Sequence, residues 1–382
     1  MNLEKRSKFS TWWQSVDKVL LAAILLLAAF SLITVTTASP AVANKIGLEY
    51  FYFIKKQMIY LILGLFIMFF LSFYSINTVR RICVIGFVVC LGLLVLTLFF
   101  GYAAKGAKRW LHVGGFSLQA SEFAKLFFPI VTAWLFSIQN KQPAFPAFKV
   151  SLFLFCILVS LLVLQPDFGM IVIITAVWCG QLFIAGLSIT LMLIFACFAV
   201  SGVFVAYTFL PHVKARIDSF LDPKSFENYQ VSKSLMAFKN GGMYGVGPGE
   251  GVIKQHIPDA HTDFIFAVIG EEMGVVACSA LVALFACIVI RGLYKVAKNT
   301  DFFKMLAMSG LLMQVGMQTI FNMGVTLHLF PTKGMTLPFI SYGGSSVLST
   351  SIVFGIILVL TKSKVGVLDD KSGILNVKKG PL

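Results

Sequence analysis

Residues 261–290 read HTDFIFAVIGEEMGVVACSALVALFACIVI. The stretch starts polar and then stays apolar, and about 20 mostly apolar residues are enough to cross a bilayer core. It predicts a membrane helix over 263–291. Three acids interrupt the pattern: Asp263 at the mouth, and Glu271 and Glu272 inside. A carboxylate facing lipid costs roughly 2.5–3.5 kcal/mol, so such groups turn toward protein or a watery cavity. Adjacent helical residues point about 100° apart, so Glu271 and Glu272 cannot share one face.

The rest of the chain continues the pattern. Of 382 residues, 58% are hydrophobic and only 12% charged, against roughly 25% charged in soluble domains. Mean hydropathy is +0.89. This is the composition of an all-α integral membrane protein. Ten apolar runs predict transmembrane helices over 19–39, 57–74, 82–101, 120–138, 149–164, 168–187, 188–210, 263–291, 303–328 and 343–361. Pro166 separates the fifth and sixth, because proline ends a helix and restricts the residue before it. The first run resembles a signal peptide followed by AVA at 41–43, but it has the length of an uncleaved span.

The net charge of +15 does not point to nucleic acid. The Lys and Arg residues fall in short segments between apolar runs, where they orient helices. Lys5, Arg6, Lys8, Arg80, Arg81, Lys141, Arg291, Lys295 and Lys362 lie on one side, which the positive-inside rule makes cytoplasmic, with both termini there. The expected organisation is a cytoplasmic segment 1–18, a membrane domain 19–362 with one long external loop 211–262 between helices 7 and 8, and a disordered cytoplasmic tail 363–382. The seven cysteines lie in apolar runs without C-x-x-C spacing, which fits packing residues rather than a disulfide or zinc framework.

Several constellations carry possible chemistry. GGMYGVGPGEG, 241–251, lacks the Gly-Lys-Ser/Thr of a P-loop and reads as a flexible hinge beside a site. HIPDAHTDFIF, 256–266, has poor spacing for a transition metal. A divalent cation such as Mg2+, shared by carboxylates and a substrate diphosphate, is the one cofactor left open. Asp263 suits either a helix cap, stabilised by about 0.3–1 kcal/mol, or a general base in front of an apolar wall. Glu122 and Lys125, at i and i+3, lie on one face and can pair, either locking the bundle or lining a charged cavity. Arg109 and Trp110 suit an interface anchor or an anionic headgroup site. The connection LFPTKGMTLPFISYGGSS, 329–346, is too polar and broken for lipid and fits a re-entrant segment lining a site.

Four motifs occur in order: GAKRWLHVGGFSLQASEFAKL, QPDFG, IPDAHTDFIFAVIGEEMG and PTKGMTLPFISYGGSS. Together they resemble the SEDS family (shape, elongation, division and sporulation proteins) over about 15–365, in a form similar to its division-type members. Ala120 departs from the family's usual Gln-Pro-Ser-Glu but leaves Glu122 and Lys125 in place. The resemblance implies a peptidoglycan glycosyltransferase of the bacterial cytoplasmic membrane, acting at the division septum. Its substrate would be lipid II, the undecaprenyl-diphosphate-linked disaccharide pentapeptide. Its partners would be a class B penicillin-binding protein and other divisome proteins.

The resemblance makes Asp263 the catalytic residue. It places Trp110, Arg109, Glu122, Lys125, His261, Thr262, Lys333, Ser341, Tyr342, Gly343, Gly344 and Ser345 around the substrate. Asp167, Glu271 and Glu272 remain acids without an assigned role. A single base suffices when the donor is already activated as a diphosphate, unlike the paired carboxylates of hydrolases. A lipid II flippase and a non-catalytic division scaffold are the rival readings.

Overall fold

The computed structural model describes residues 8–104, 107–114, 116–209, 211–221, 226–331 and 334–363. A short helix α1 (Lys8–Ser15) precedes α2 (Lys18–Lys45), α3 (Tyr52–Ser72) and α4 (Ile76–Phe100). Strands β1 (Tyr102–Ala104), β2 (Ala107–Val113) and β3 (Phe116–Leu118) follow. Then come α5 (Ala120–Lys141), α6 (Ala147–Leu164), α7 (Phe168–Ile184), α8 (Ile189–Phe209), α9 (Pro211–Leu221) and α10 (Phe226–Gly241). The last helices are α11 (Ile265–Ala297), α12 (Phe302–Thr326) and α13 (Gly344–Leu360).

A helix lies at each of the ten expected apolar runs. Among the described residues, six (α2 to α6 and α11) are long and apolar enough to cross a membrane, and α7 and α13 are shorter apolar helices. Burial sorts them. In the most apolar window of α5, 83% of residues are buried, against 22% in α6 and 28% in α3 and α4. The axis of the bundle is therefore α5, with α12, α13, α4 and α7 packed on it. The outer helices present Phe66, Ile85, Val88, Phe99 and Phe153 outward. An apolar surface this continuous is what a helix shows to lipid rather than to water.

Two features depart from the sequence reading. The fold is not purely helical, because residues 102–118 form a three-stranded antiparallel sheet in the order β1-β2-β3. Gly114, at φ 57°, lies between β2 and β3, and the strands are too short to register as an apolar run. The segment expected as a loop over 211–262 also holds α9, α10 and a 3-10 turn at Ile253–His256. Helix α10 packs along α11, and Ser234 Oγ donates to Thr326 O at 2.7 Å.

Helix ends gather at two poles. At one, Trp12 Nε1 donates to Ser72 Oγ at 2.9 Å, and Ser363 N donates to Ser15 O at 2.9 Å. Asp17 caps α2 by accepting from Val19 N and Leu20 N. It also pairs with Arg291 at 3.0 Å and Lys295 at 3.2 Å, near the end of α11. The tail from 364 onward, expected to be disordered, lies outside the described residues. At the other pole, the end of α12 meets the starts of α3, α5, α11 and α13. The motif residues lie there.

Candidate active site

Asp263 sits in a tight turn that leads into α11. The carbonyl of Asp259 accepts from Thr262 N at 3.0 Å and Asp263 N at 3.1 Å, and from Thr262 Oγ1 at 3.1 Å. The N-cap position of α11 falls on Phe264, one residue after Asp263. The side chain is half-buried. Its carbonyl accepts from Asn322 Nδ2 of α12 at 3.0 Å.

The connection between α12 and α13 closes on the same turn. Ser341 Oγ donates to Thr262 O at 2.6 Å and accepts from Leu337 N at 2.7 Å. Tyr342 N donates to His261 O at 2.9 Å. The rings of His261, Tyr342 and Phe53 of α3 form a cluster with centroids 4.6–5.2 Å apart. His261, Thr262, Asp263, Ser341 and Tyr342 are thus one structural unit. Lys333 lies outside the described residues.

One helical turn along α12, a polar chain reaches the Glu122–Lys125 pair of the first motif. Lys125 Nζ is 2.6 Å from Glu122 Oε2, with side chains 2% and 4% exposed. It also donates to Gln318 Oε1 at 2.9 Å. Gln318 Nε2 donates to Thr336 O at 2.8 Å, Thr336 and Ser346 share a hydroxyl bond at 2.6 Å, and Ser349 Oγ donates to Glu122 Oε2 at 3.2 Å. A buried ion pair holds together only where its remaining hydrogen-bonding capacity is met, and here Gln318 of α12 and Ser349 of α13 supply it.

Arg109, on β2, clamps the QPDFG turn. It donates to Gln165 O at 3.2 Å and Pro166 O at 2.5 Å, and lies 3.9 Å from Asp167. Asp167 also accepts from Ser121 Oγ at 3.2 Å, so it holds the α6–α7 turn to the start of α5. Trp110 follows Arg109 on the strand, so the two point to opposite faces of the sheet. Ser345 accepts from Gln119 N at 3.0 Å and donates to Ser117 O at 3.1 Å. Gly344 backs onto the Tyr60 ring, and Gly343 precedes it as the N-cap of α13.

Glu271 and Glu272 hold the segment between α10 and α11. Glu271 accepts from Ile253 N at 2.7 Å, Lys254 N at 2.9 Å and Asn240 Nδ2 at 3.1 Å. Glu272 forms a short ion pair with Lys254, whose ammonium also donates to Gly249 O at 2.9 Å and to Thr37 O of α2 at 3.0 Å. Both glutamates are at most 1% exposed. Of the two roles left open for them, the structural node is the one the geometry carries.

The glycine-rich stretch is a wedge, not a hinge. Helix α11 breaks at Gly274 (φ 75°, ψ −176°). The backbone groups freed by the break pair with the loop: Val246 N and Gly247 N donate to Glu271 O and Glu272 O at 3.0 Å, and Val275 N and Val276 N donate to Gly242 O and Met243 O at 3.0 and 3.2 Å. A broken membrane helix is tolerated where neighbouring protein satisfies its freed groups. Gly245 and Gly274 both have positive φ, and a Cβ on either would run into the other segment's backbone.

Sequence reasoning missed Gln318, Asn322, Thr336 and Ser346. The signal was present: Gln314, Gln318 and Asn322 recur every four residues in an apolar run, which sets three amides on one helix face. All three are buried. Among the described residues no cluster of three or more His, Cys, Asp or Glu side chains could hold a metal ion.

This geometry has counterparts among known proteins. A family profile described as "Cell cycle protein" matches residues 17–365. The chain is 37% identical over 362 residues to the "Probable peptidoglycan glycosyltransferase FtsW" of Caulobacter vibrioides, covering 94% of this chain and 93% of that one. The similarly named protein of Coxiella burnetii is 34% identical, covering 93% and 98%. Among solved structures, one from "Structural coordination of polymerization and crosslinking by a peptidoglycan synthase complex" aligns with TM-score 0.76 and 26% identity, covering 91% of this chain and 98% of that one. The rod shape determining protein RodA of Thermus thermophilus aligns with TM-score 0.68 and 25% identity, covering 91% and 97%. With its profile match, its relatives and its fold in agreement, the chain belongs to the SEDS family of shape, elongation, division and sporulation proteins.

Proposed function

We propose that this protein is a division-type peptidoglycan glycosyltransferase that polymerises lipid II, with Asp263 as its general base. The observation that carries the reading is the convergence on the Asp263 turn. Asn322 of α12 and Ser341 and Tyr342 of the last connection all bond to the backbone of residues 261–263, and Asp263 is only partly buried. A base must be both fixed and reachable by substrate.

In the reaction, Asp263 takes the proton from the acceptor sugar hydroxyl as that oxygen attacks the donor's anomeric carbon. The carbon–oxygen bond to the lipid diphosphate breaks, the diphosphate leaves with the electron pair, and the anomeric centre inverts. The leaving group needs positive charge rather than an acid. Lys125 and Lys254 are committed to buried carboxylates. Arg109, 23% exposed, is the described candidate with access to the surface. Among the described residues no cluster of three or more His, Cys, Asp or Glu side chains is placed to hold a divalent cation.

The same reading makes all ten apolar helices transmembrane, in a membrane domain 19–362, with the site at the external pole and both termini cytoplasmic at the septum. The contact of Ser363 with Ser15 supports an even number of crossings. A class B penicillin-binding protein is the proposed partner, supported by the likeness to a synthase complex that couples polymerisation to crosslinking. The test uses purified full-length protein with that partner in lipid vesicles. The polymerase reading expects glycan strands from lipid II; movement of lipid II between leaflets with no polymer would establish the flippase instead.

A further inference from the structure

Two residues outside the motif bear on where Asp263 sits, one through its backbone and one beside its carboxylate. Asn322 is 1% exposed, and its amide nitrogen donates to two carbonyls, Asp263 O at 3.0 Å and Met335 O at 2.5 Å. Two carbonyl acceptors require the NH2 end there, which fixes the amide's orientation. Asn322 thereby ties the base's own residue to the strand-like segment 334–337. One turn earlier, Gln318 does the same for that segment at Thr336 and reaches Lys125.

Gly334 faces the carboxylate. A Cβ built on it would lie 2.9 Å from Asp263 Oδ2 and 3.7 Å from Oδ1. The glycine is exposed, and its φ is not in the left-handed region, so the backbone accepts alanine without strain. An added methyl would instead press on the Asp263 carboxyl group, which supplies the three nearest atoms it would meet.

We propose that Asn322 and Gly334 are positioning residues for Asp263: Asn322 fastens the backbone of the base to the 334–337 segment, and Gly334 leaves the space in which its carboxylate rests. Misplacing a reacting group by about 1 Å costs on the order of a hundredfold in rate. This rests on Asp263 being the base.

The experiment measures lipid II polymerisation by the full-length protein with its partner, for wild type, Asn322→Leu, Gly334→Ala, Gln181→Leu and Asp263→Asn, with Tm in detergent for each. Gln181 is the control: its amide also bridges carbonyls of two helices, Pro129 O at 2.7 Å and Leu306 O at 3.0 Å, but it is no part of the Asp263 turn. The expected result is a fall in kcat of about 10- to 100-fold for Asn322→Leu and Gly334→Ala, with KM within about threefold of wild type. Gly334→Ala keeps the wild-type Tm, and Gln181→Leu loses Tm while keeping kcat. If Asn322→Leu does not fold, Gly334→Ala decides alone. A Gly334→Ala protein with unchanged kcat, or one that loses only KM, overturns the inference even when Asp263→Asn is inactive. Wild-type kcat in Asp263→Asn would overturn the proposed base itself.

Discussion

Lys125 is held by a carboxylate and an amide inside the bundle, and each of the three depends on the others. With Lys125 and Glu122 at 2% and 4% side-chain exposure, removing one partner strands a buried charge. Lys125→Met is expected to cost about 3–5 kcal/mol of stability, read by denaturant unfolding in detergent. The Glu122→Gln/Lys125→Met double variant should lose clearly less than the sum of the single losses, because the pair acts as a unit. Additive losses would mean the two do not interact. This pair was legible in the sequence, since helical spacing alone brings i and i+3 together. The pairing of Lys254 with Glu272 was not, because it forms only when the segment between α10 and α11 folds back on α11. Asn322 was legible as one of three amides on a helix face, but its tie to Asp263 was not, because that partner lies 59 residues away in the chain.

At the scale of elements, α11 joins both poles. Its first turns receive the glycine wedge, and its far end carries Arg291 to Asp17. Gly245→Ala is expected to cost about 1–3 kcal/mol, because φ at 245 is positive and the wedge has no room. Hydrogen exchange should then show lost protection over 242–247 and 275–276; unchanged protection would contradict the wedge. At the other pole, burial alone would raise the Asp17 pKa, but the Arg291 bond, the Leu20 amide and Lys295 outweigh it and the net shift is downward. A depressed carboxylate contributes stability that is full above its unfolded pKa and is lost as pH falls through the folded pKa. The stability gap between wild type and Asp17→Asn should therefore be full at pH 7 and shrink in acid. A gap that grows in acid would contradict the sign. The sequence located these helices, as 120–138 against Ala120–Lys141 illustrates, because apolar length is a strong signal. It concealed the break at Gly274, since the compensating bonds come from 25 to 33 residues earlier.

For the whole molecule, the two poles make a topological claim. Single cysteines at Tyr244, 83% exposed, and at Ser363, in a cysteine-free background, should label from opposite sides of intact cells. Tyr244→Cys is expected to react with an impermeant maleimide directly, and Ser363→Cys only after permeabilisation. Labelling of both from outside would refute the three crossings proposed between them. Apolar runs made the helices readable. The sheet at 102–118 escaped notice because its strands have only three to seven residues. The central claim is that Asp263 is the base of a lipid II polymerase, and its most direct measurement is the rate of glycan strand formation by wild type and Asp263→Asn, each purified with the transpeptidase partner. A loss of at least about 100-fold at unchanged Tm is predicted; strand formation by Asp263→Asn at the wild-type rate would contradict it.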